Sequence, residues 1–157
     1  MKIHFWAIGK SHEHFVKEGI ELFTKRISNY FSVEWKIIPM PKNAGIMAPE
    51  MLKKKEGEAL STLITKEDYI VLLDERGKNF TSEAFSSFIE QRTVKSTKNL
   101  IFVIGGAYGV SDAILQRADF KWSLSALVFP HQLVRLILAE QVYRACSIIR
   151  NEKYHHT

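Results

Sequence analysis

The 157-residue sequence contains one cysteine, four prolines and eight glycines. A single thiol excludes an intramolecular disulfide and a zinc cluster built on cysteines, and it is typical of a reducing compartment. No hydrophobic run reaches the roughly 20 residues that a membrane-spanning helix needs, and the apolar start "MKIHFWAIGK" lacks a signal-peptide cleavage site. We therefore expect a cytoplasmic protein without membrane contact, with Cys146 packed in the core.

The charge of the chain is moderately unbalanced. There are 22 Lys and Arg against 17 Asp and Glu, which gives a net charge of +5. This excess suits a polyanionic partner, and an ordinary basic surface explains it equally well. With 46% hydrophobic residues and no repeat or linker, residues 1–157 are predicted to form one domain.

Apolar runs of strand length alternate with helical patterns along the chain. The predicted strands are Lys2–Ile8, Val33–Ile38, Tyr69–Leu73, Leu100–Ile104 and Phe120–Leu124. The predicted helices are residues 13–30, Pro49–Leu63, one from Thr81 or Ser82, one from Ser111 or Asp112, and Pro130–Arg150. The charge cluster "KKKEGE" in the second helix is interpreted as a solvated face, with nucleic-acid contact as the alternative. This alternation predicts an α/β domain with a mostly parallel sheet and helices on both faces.

Three predicted loops follow strands in the second half of the chain. They are "DERGKN" after Leu73, "GGAYG" after Ile104 and "SALVFP" after Leu124. Ligands of open α/β sheets bind beyond the carboxyl ends of the strands. The glycines form neither the dinucleotide fingerprint nor a Walker A motif, so hydride or phosphoryl transfer is poorly supported. A tight turn explains these glycines better than close approach of a ligand does. The apolar loop that follows needs cover from an adenine ring, another protomer or the domain itself.

The final helix is apolar over a wide arc. One stripe contains Leu133, Ile137, Glu140, Arg144 and Ile148, and the stripe beside it contains Val134, Leu138, Ala145 and Ile149. One side can face the sheet, and a symmetry-related protomer is the simplest cover for the other. Glu140 and Arg144 are spaced to pair with each other, and contact of Arg144 with a substrate is the alternative.

The segments "FVIGGAYG" and "SLSALVFPHQLVRLILAEQVYRA" and the terminal "YHH" together resemble the RlmH family, bacterial large-subunit ribosomal RNA methyltransferases of the SPOUT (α/β-knot) superfamily. The match runs from the "MKI…AIGK" opening to the tail. The resemblance implies a homodimer with a trefoil knot in its C-terminal half. It also implies S-adenosylmethionine as cofactor and methylation of N3 of a pseudouridine in 23S rRNA within the assembled ribosome. We expect no metal.

The resemblance also implies which positions bind the cofactor. They are Leu73, Gly105, Leu124, Ser125, Ala126, Leu127, Val128 and Phe129. These positions lie at the three strand ends identified from the residues alone. Backbone groups there can bind the adenine and ribose, and the apolar side chains can cover them.

Methylation of an imide nitrogen requires loss of its proton, and histidine is a natural base near neutral pH. His131, His155 and His156 lie in the matching motifs, although His131 can instead cap the last helix. Tyr154 can stack on a base, and Arg150 and Lys153 can bind phosphates.

The candidate catalytic residues are therefore Arg144, Tyr154, His155 and His156. We expect the tail of one protomer to complete the RNA side of its partner's site. The alternatives are a non-catalytic ribosome or RNA-binding protein, and a SPOUT methyltransferase acting on another RNA such as tRNA. A zinc site from His12, His14 and the tail has no supporting ligand spacing.

Overall fold

The computed structural model describes residues 1–156, which form a five-stranded sheet and five α-helices. The strands are β1 (Lys2–Ile8), β2 (Ser32–Ile38), β3 (Asp68–Lys78), β4 (Asn99–Ile104) and β5 (Phe120–Trp122). The helices are α1 (His14–Ile27), α2 (Pro49–Leu63), α3 (Ser82–Val94), α4 (Asp112–Arg117) and α5 (His131–Ile149), with a short 3-10 turn at Ala44–Ile46. All strand pairs of the sheet are parallel, in the order β2-β1-β4-β3-β5.

Both faces of the sheet are covered by helices, as the alternating pattern predicts. On one face, Phe5 and Phe102 pack with Phe85 of α3 and Leu138 of α5. The other face buries β-strand residues against α2 and α4, and its members include Ile70, Leu72, Ile101, Leu60 and Ile114. Since successive strand side chains point to opposite faces, the continuous apolar runs of β3 and β4 supply both cores.

Three predicted helix starts, those of α2, α3 and α4, are confirmed, and α1 and α5 each begin one residue later than predicted. Pro49 is the first residue of α2, where its missing N–H is no loss. Thr81 caps α3 because its hydroxyl accepts a hydrogen bond from the Ala84 backbone N–H at 3.1 Å. In the part of the chain that the structure describes, no helix is both long and apolar enough to cross a membrane.

The predicted loop "DERGKN" is wrong for all but its last residue, because β3 continues through Lys78. β4 ends opposite Leu73, and β3 then bends away with a register shift and pairs again with β5 at Lys78. Gly77 permits this close approach, since a Cβ there would lie 2.6 Å from the backbone carbon of Lys121. β5 correspondingly ends at Trp122, two residues earlier than predicted.

The final helix, α5, packs against both α1 and α3 as well as the sheet. Cys146 is buried there, as predicted, and burial raises the pKa of its thiol. The flanking helices thus supply part of the cover that was expected from a second protomer. The stripe that begins at Leu133 and ends at Ile148 remains only half-buried.

The charge cluster of α2 is not a uniform solvated face, so that interpretation is wrong for one of its charged residues. Lys54, Lys55 and Glu58 are exposed, but Glu56 is only 3% exposed. Glu56 shares the buried side of α2 with Leu52 and Leu60, because residues four apart lie on one face of a helix.

Candidate functional site

A cavity of about 670 Å³ opens where β4, β3 and β5 end. Its walls are residues 73–76, 104–110 and 122–129, with Lys53, His131 and Val134 among the residues contributed by helices. All eight positions that the sequence predicts for cofactor binding line this cavity: Leu73, Gly105, Leu124, Ser125, Ala126, Leu127, Val128 and Phe129. Its volume lies within the roughly 300–1,000 Å³ typical of small-molecule sites.

The wall formed by residues 122–129 is a hydrogen-bonded loop. The Ser123 hydroxyl donates to the Ser125 carbonyl at 2.9 Å, and the Leu127 N–H donates to the Ser125 hydroxyl at 3.0 Å. These bonds leave Leu127 73% exposed and Val128 84% exposed at the mouth of the cavity. Such apolar surface can cover a flat, weakly polar group.

The opposite wall is the glycine loop, Gly105–Gly109. The Gly109 N–H donates to the Gly106 carbonyl at 3.1 Å and closes the turn. His131 contacts the Gly105 carbonyl through Nε2, which must carry the proton in order to donate. This contact ties the start of α5 to the end of β4.

His131 does not cap α5, so that alternative is wrong. The N-cap position is Pro130 and no side chain caps the helix, because the His131 ring is turned to Gly105. Burial lowers the pKa of His131, and the positive charge of Arg135 lowers it further. The bond to the Gly105 carbonyl opposes both effects but does not outweigh them. His131 is therefore held as a neutral imidazole at the cavity wall.

Arg135 is a residue that sequence reasoning missed. It is fully buried, and its Nη1 donates to the Lys10 carbonyl at 2.8 Å and lies 3.3 Å from Nδ1 of His12. Burial lowers the pKa of its guanidinium. Arg135 shares the buried stripe of Leu138 and Val142, and a charge within an apolar stripe was the signal that could have revealed it.

The mouth of the cavity carries charges of both signs. Arg76 donates to both carboxylate oxygens of Asp74 at 3.0 and 2.9 Å, and these bonds hold the pKa of Asp74 below its usual range. Lys53 forms an ion pair with Glu50 at 2.9 Å. Arg76, Asp74 and Lys53 therefore each have a partner of opposite charge at this mouth.

A second cluster forms where the C-terminal tail folds back on α5. Glu140 Oε1 accepts hydrogen bonds from Arg144 Nε and from the Tyr154 hydroxyl, each at 3.0 Å. The Arg144 guanidinium lies 4.8 Å from the centre of the Tyr154 ring. The expected Glu140–Arg144 pair is confirmed, and burial followed by the bond to Glu140 raises the pKa of Tyr154.

His155 joins this cluster through both ring nitrogens. Its Nδ1 lies 3.3 Å from Arg144 Nη1, and its Nε2 lies 2.9 Å from Glu83 Oε1. Because Arg144 can only donate, Nδ1 accepts and Nε2–H donates to the carboxylate. The arrangement thus selects one neutral tautomer of His155.

The structure brings Arg144, Tyr154 and His155 together but keeps them away from the cavity. None of them lines it, and His156, Arg150 and Lys153 are exposed. His131 and Arg144 are thirteen positions apart along α5, a distance of about 20 Å at 1.5 Å per residue. In residues 1–156 no group of three metal-ligating side chains forms, so the zinc alternative has no support.

Comparison with known proteins matches residues 1–155 to the family described as predicted SPOUT methyltransferase. A protein of Cytophaga hutchinsonii named ribosomal RNA large subunit methyltransferase H is 45% identical over 99% of this chain and 100% of its own length. Proteins of the same name from Christiangramia forsetii and Carboxydothermus hydrogenoformans are 44% and 43% identical, each over 99% of both chains.

Proposed function

Because this chain belongs to the SPOUT methyltransferase family, we propose that it methylates N3 of a pseudouridine in 23S rRNA of the assembled ribosome, using S-adenosylmethionine. Its full-length relatives are named as methyltransferases of large-subunit ribosomal RNA. The observation that carries the proposal is the cavity at the ends of β3, β4 and β5, which is lined by every position expected to bind the cofactor.

The residues of the cavity fit S-adenosylmethionine. The glycine loop and residues 124–129 offer backbone groups for the adenine and ribose, and Leu127 and Val128 offer exposed apolar surface. When bound, the cofactor supplies an electrophilic methyl group. The chain's part is to bind it, orient it and exclude water, which are the effects that give positioned reactions much of their rate.

Removal of the N3 proton is assigned to the tail cluster, with His155 as the base. In the cluster both nitrogens of His155 are occupied, by Arg144 and by Glu83. His155 can accept a proton on Nδ1 only after Nδ1 has lost its contact with Arg144. The arriving nucleotide would replace His155 as the partner of Arg144. Arg144 and Tyr154 would then hold the target nucleobase, Arg144 through its charge and Tyr154 through stacking. Exposed His156 would contact the RNA.

The tail cluster and the cavity are too far apart to act on one nucleotide within one chain. A homodimer resolves this separation, since the tail of one protomer can reach the cavity of its partner. Leu133, Ile137 and Ile148 support such an interface because they leave apolar surface half-exposed along α5. A two-fold contact through this stripe would complete both sites at once.

The C-terminal half of this single domain is proposed to carry the trefoil knot of the superfamily. β5 lies at the edge of the sheet beside β3, yet the chain after it returns to Gly105 at the end of β4 and then enters α5 between α1 and α3. That return path across the end of β3 is what supports the knot.

A transfer experiment tests the function. The protein and labelled S-adenosylmethionine are incubated with ribosomes, separated subunits, and naked rRNA with or without pseudouridine, and the labelled nucleotide is mapped. We expect label in the large-subunit rRNA of assembled ribosomes. Label in another RNA would redirect the assignment within the superfamily, and no label anywhere would favour a non-catalytic RNA-binding protein.

A further inference from the structure

Helix α2 packs closely against the loop that forms one wall of the cofactor cavity. Glu56 and Gly57 are both buried, although they lie in a charge cluster. A Cβ at Gly57 would lie 2.2 Å from the Ser111 hydroxyl oxygen. The backbone of α2 therefore sits directly against the segment that follows the glycine loop.

The carboxyl of Glu56 reaches the glycine loop itself. Its Oε2 and Oε1 lie 2.4 and 2.7 Å from the position that a Cβ on Gly106 would take. Gly106 has no left-handed φ, so its backbone would accept alanine without strain. A side chain at Gly106 would instead meet the Glu56 carboxyl, which would have to move to admit it.

Glu56 is a poor choice for packing alone. Its side chain is 3% exposed, and burial raises the pKa of its carboxyl. A carboxyl that is largely removed from water loses part of its hydration, which disfavours its charged form. An apolar residue of similar size would stabilise α2 better, so the carboxyl is better explained by what it does at the loop.

We propose that Glu56 is a positioning residue of the cofactor cavity, whose carboxyl braces Gly106 from behind and holds the glycine loop at the distance from Leu124–Phe129 that the cofactor requires. This inference rests on the proposed function, because it assumes that the glycine loop binds S-adenosylmethionine. It adds a residue of α2 that does not itself line the cavity.

The first test measures affinity and turnover separately. Glu56→Ala should raise the dissociation constant of S-adenosylhomocysteine and the KM for S-adenosylmethionine about tenfold, the size of a typical coupling between contacting groups. kcat should stay within about twofold, since a displaced loop weakens binding rather than the chemical step. Glu56→Gln keeps the shape and should retain wild-type affinity. Thermal unfolding without ligand monitors folding.

The second test uses the contact with Gly106. Gly106→Ala alone should weaken cofactor binding at least about tenfold, because its methyl group meets the Glu56 carboxyl. In the double variant with Glu56→Ala that methyl group enters vacated space, so the double variant should bind as well as Glu56→Ala alone. Gly105→Ala is the matched control: its Cβ would lie 2.7 Å from Val110, and Glu56→Ala should not rescue it.

The outcomes separate this inference from the function on which it rests. If the wild-type protein binds neither S-adenosylmethionine nor S-adenosylhomocysteine, the proposed function and this inference both fail. If the wild type binds but Glu56→Ala binds equally well, or the two substitutions are additive, the inference is wrong and the function stands. Should Glu56→Ala not fold, Glu56→Asp withdraws the carboxyl by one methylene and gives the same cycle.

Discussion

Removal of the tail separates its role from that of the cofactor cavity. Ending the chain at Arg150 removes the bond from the Tyr154 hydroxyl to Glu140 at 3.0 Å and the packing of Tyr154 on Tyr143, whose ring centres are 4.6 Å apart. It also removes the contact of His155 with Glu83 at 2.9 Å. The truncation leaves every residue that lines the cavity in place, since Val134 is the last of them.

The expected effect on folding is small. Each lost hydrogen bond is worth about 0.5–1.5 kcal/mol, and the aromatic pair adds a similar amount. Release of the tail returns about 1–2 kcal/mol of conformational entropy for each residue that was ordered. The entropy gain opposes the lost contacts, so the free energy of unfolding should fall by no more than about 2 kcal/mol, or up to about 8 °C in Tm for a chain of this size.

The expected effect on methyl transfer is large. The dissociation constant of S-adenosylhomocysteine, measured by calorimetry, should change by less than about twofold, because the tail cluster lies about 20 Å from the cavity in the same chain. Transfer to ribosomes should fall at least about 100-fold, the lower range of what a positioned acid or base contributes. Tyr154→Phe keeps the ring and loses the bond to Glu140, so its rate of methyl transfer should lie between those of the wild type and the truncated chain.

Tyr30→Phe is the matched control for the tail. Tyr30 donates to Glu152, so the variant loses one tail contact while keeping Tyr154 and His155, and it should retain most transfer. A truncated chain that still methylates ribosomes at the wild-type rate would refute the assignment of the tail cluster. A loss of cofactor affinity greater than about tenfold would refute the separation of roles.

Three further predictions concern single residues. His131 has a lowered pKa in the fold, so below about pH 6.5 the unfolded chain binds the proton more readily than the folded chain and the free energy of unfolding falls. Urea unfolding at pH 7.5 and pH 5 should show a smaller loss of stability in His131→Gln than in the wild type, and equal losses would contradict this. Leu127→Ser should leave stability within about 0.5 kcal/mol, because Leu127 is 73% exposed, but should weaken S-adenosylhomocysteine binding about fivefold; unchanged affinity would exclude Leu127 from the site. Phe85 is 1% exposed and stacks on Trp122 at 4.1 Å, so Phe85→Ala should lower the free energy of unfolding by about 3–5 kcal/mol, and a urea midpoint close to that of the wild type would show that this core is not as described.

The sequence predicts the elements better than their extensions. The apolar runs of β3 and β4 identify both strands, and the rule for open α/β sheets then brings their ends together at one cavity. The continuation of β3 through Lys78 could not be predicted, because polar residues such as Glu75 and Arg76 resemble a loop and are held only by β5, which is distant in sequence. Local patterns do not contain that pairing.

The same reason explains the fate of individual charged residues. Composition places Glu56 in solvent with its lysine neighbours, and only the packing of α2 on the glycine loop shows that it is buried. Arg135 is hidden in the same way, by a contact with Lys10 that spans most of the chain. The separation of the tail cluster from the cavity, in contrast, follows from the length of α5 and could have been predicted from the sequence.

The burial of Arg135 affects how ionic strength acts on this protein. Its guanidinium lies behind the carboxyl end of β1, bonded to Lys10 and out of reach of water. Dissolved ions screen exposed lysines over about 8 Å at physiological salt, but they screen a buried charge much less. Part of the positive potential at this edge of the sheet therefore persists in concentrated salt, where the attraction of the surface lysines for a polyanion is lost.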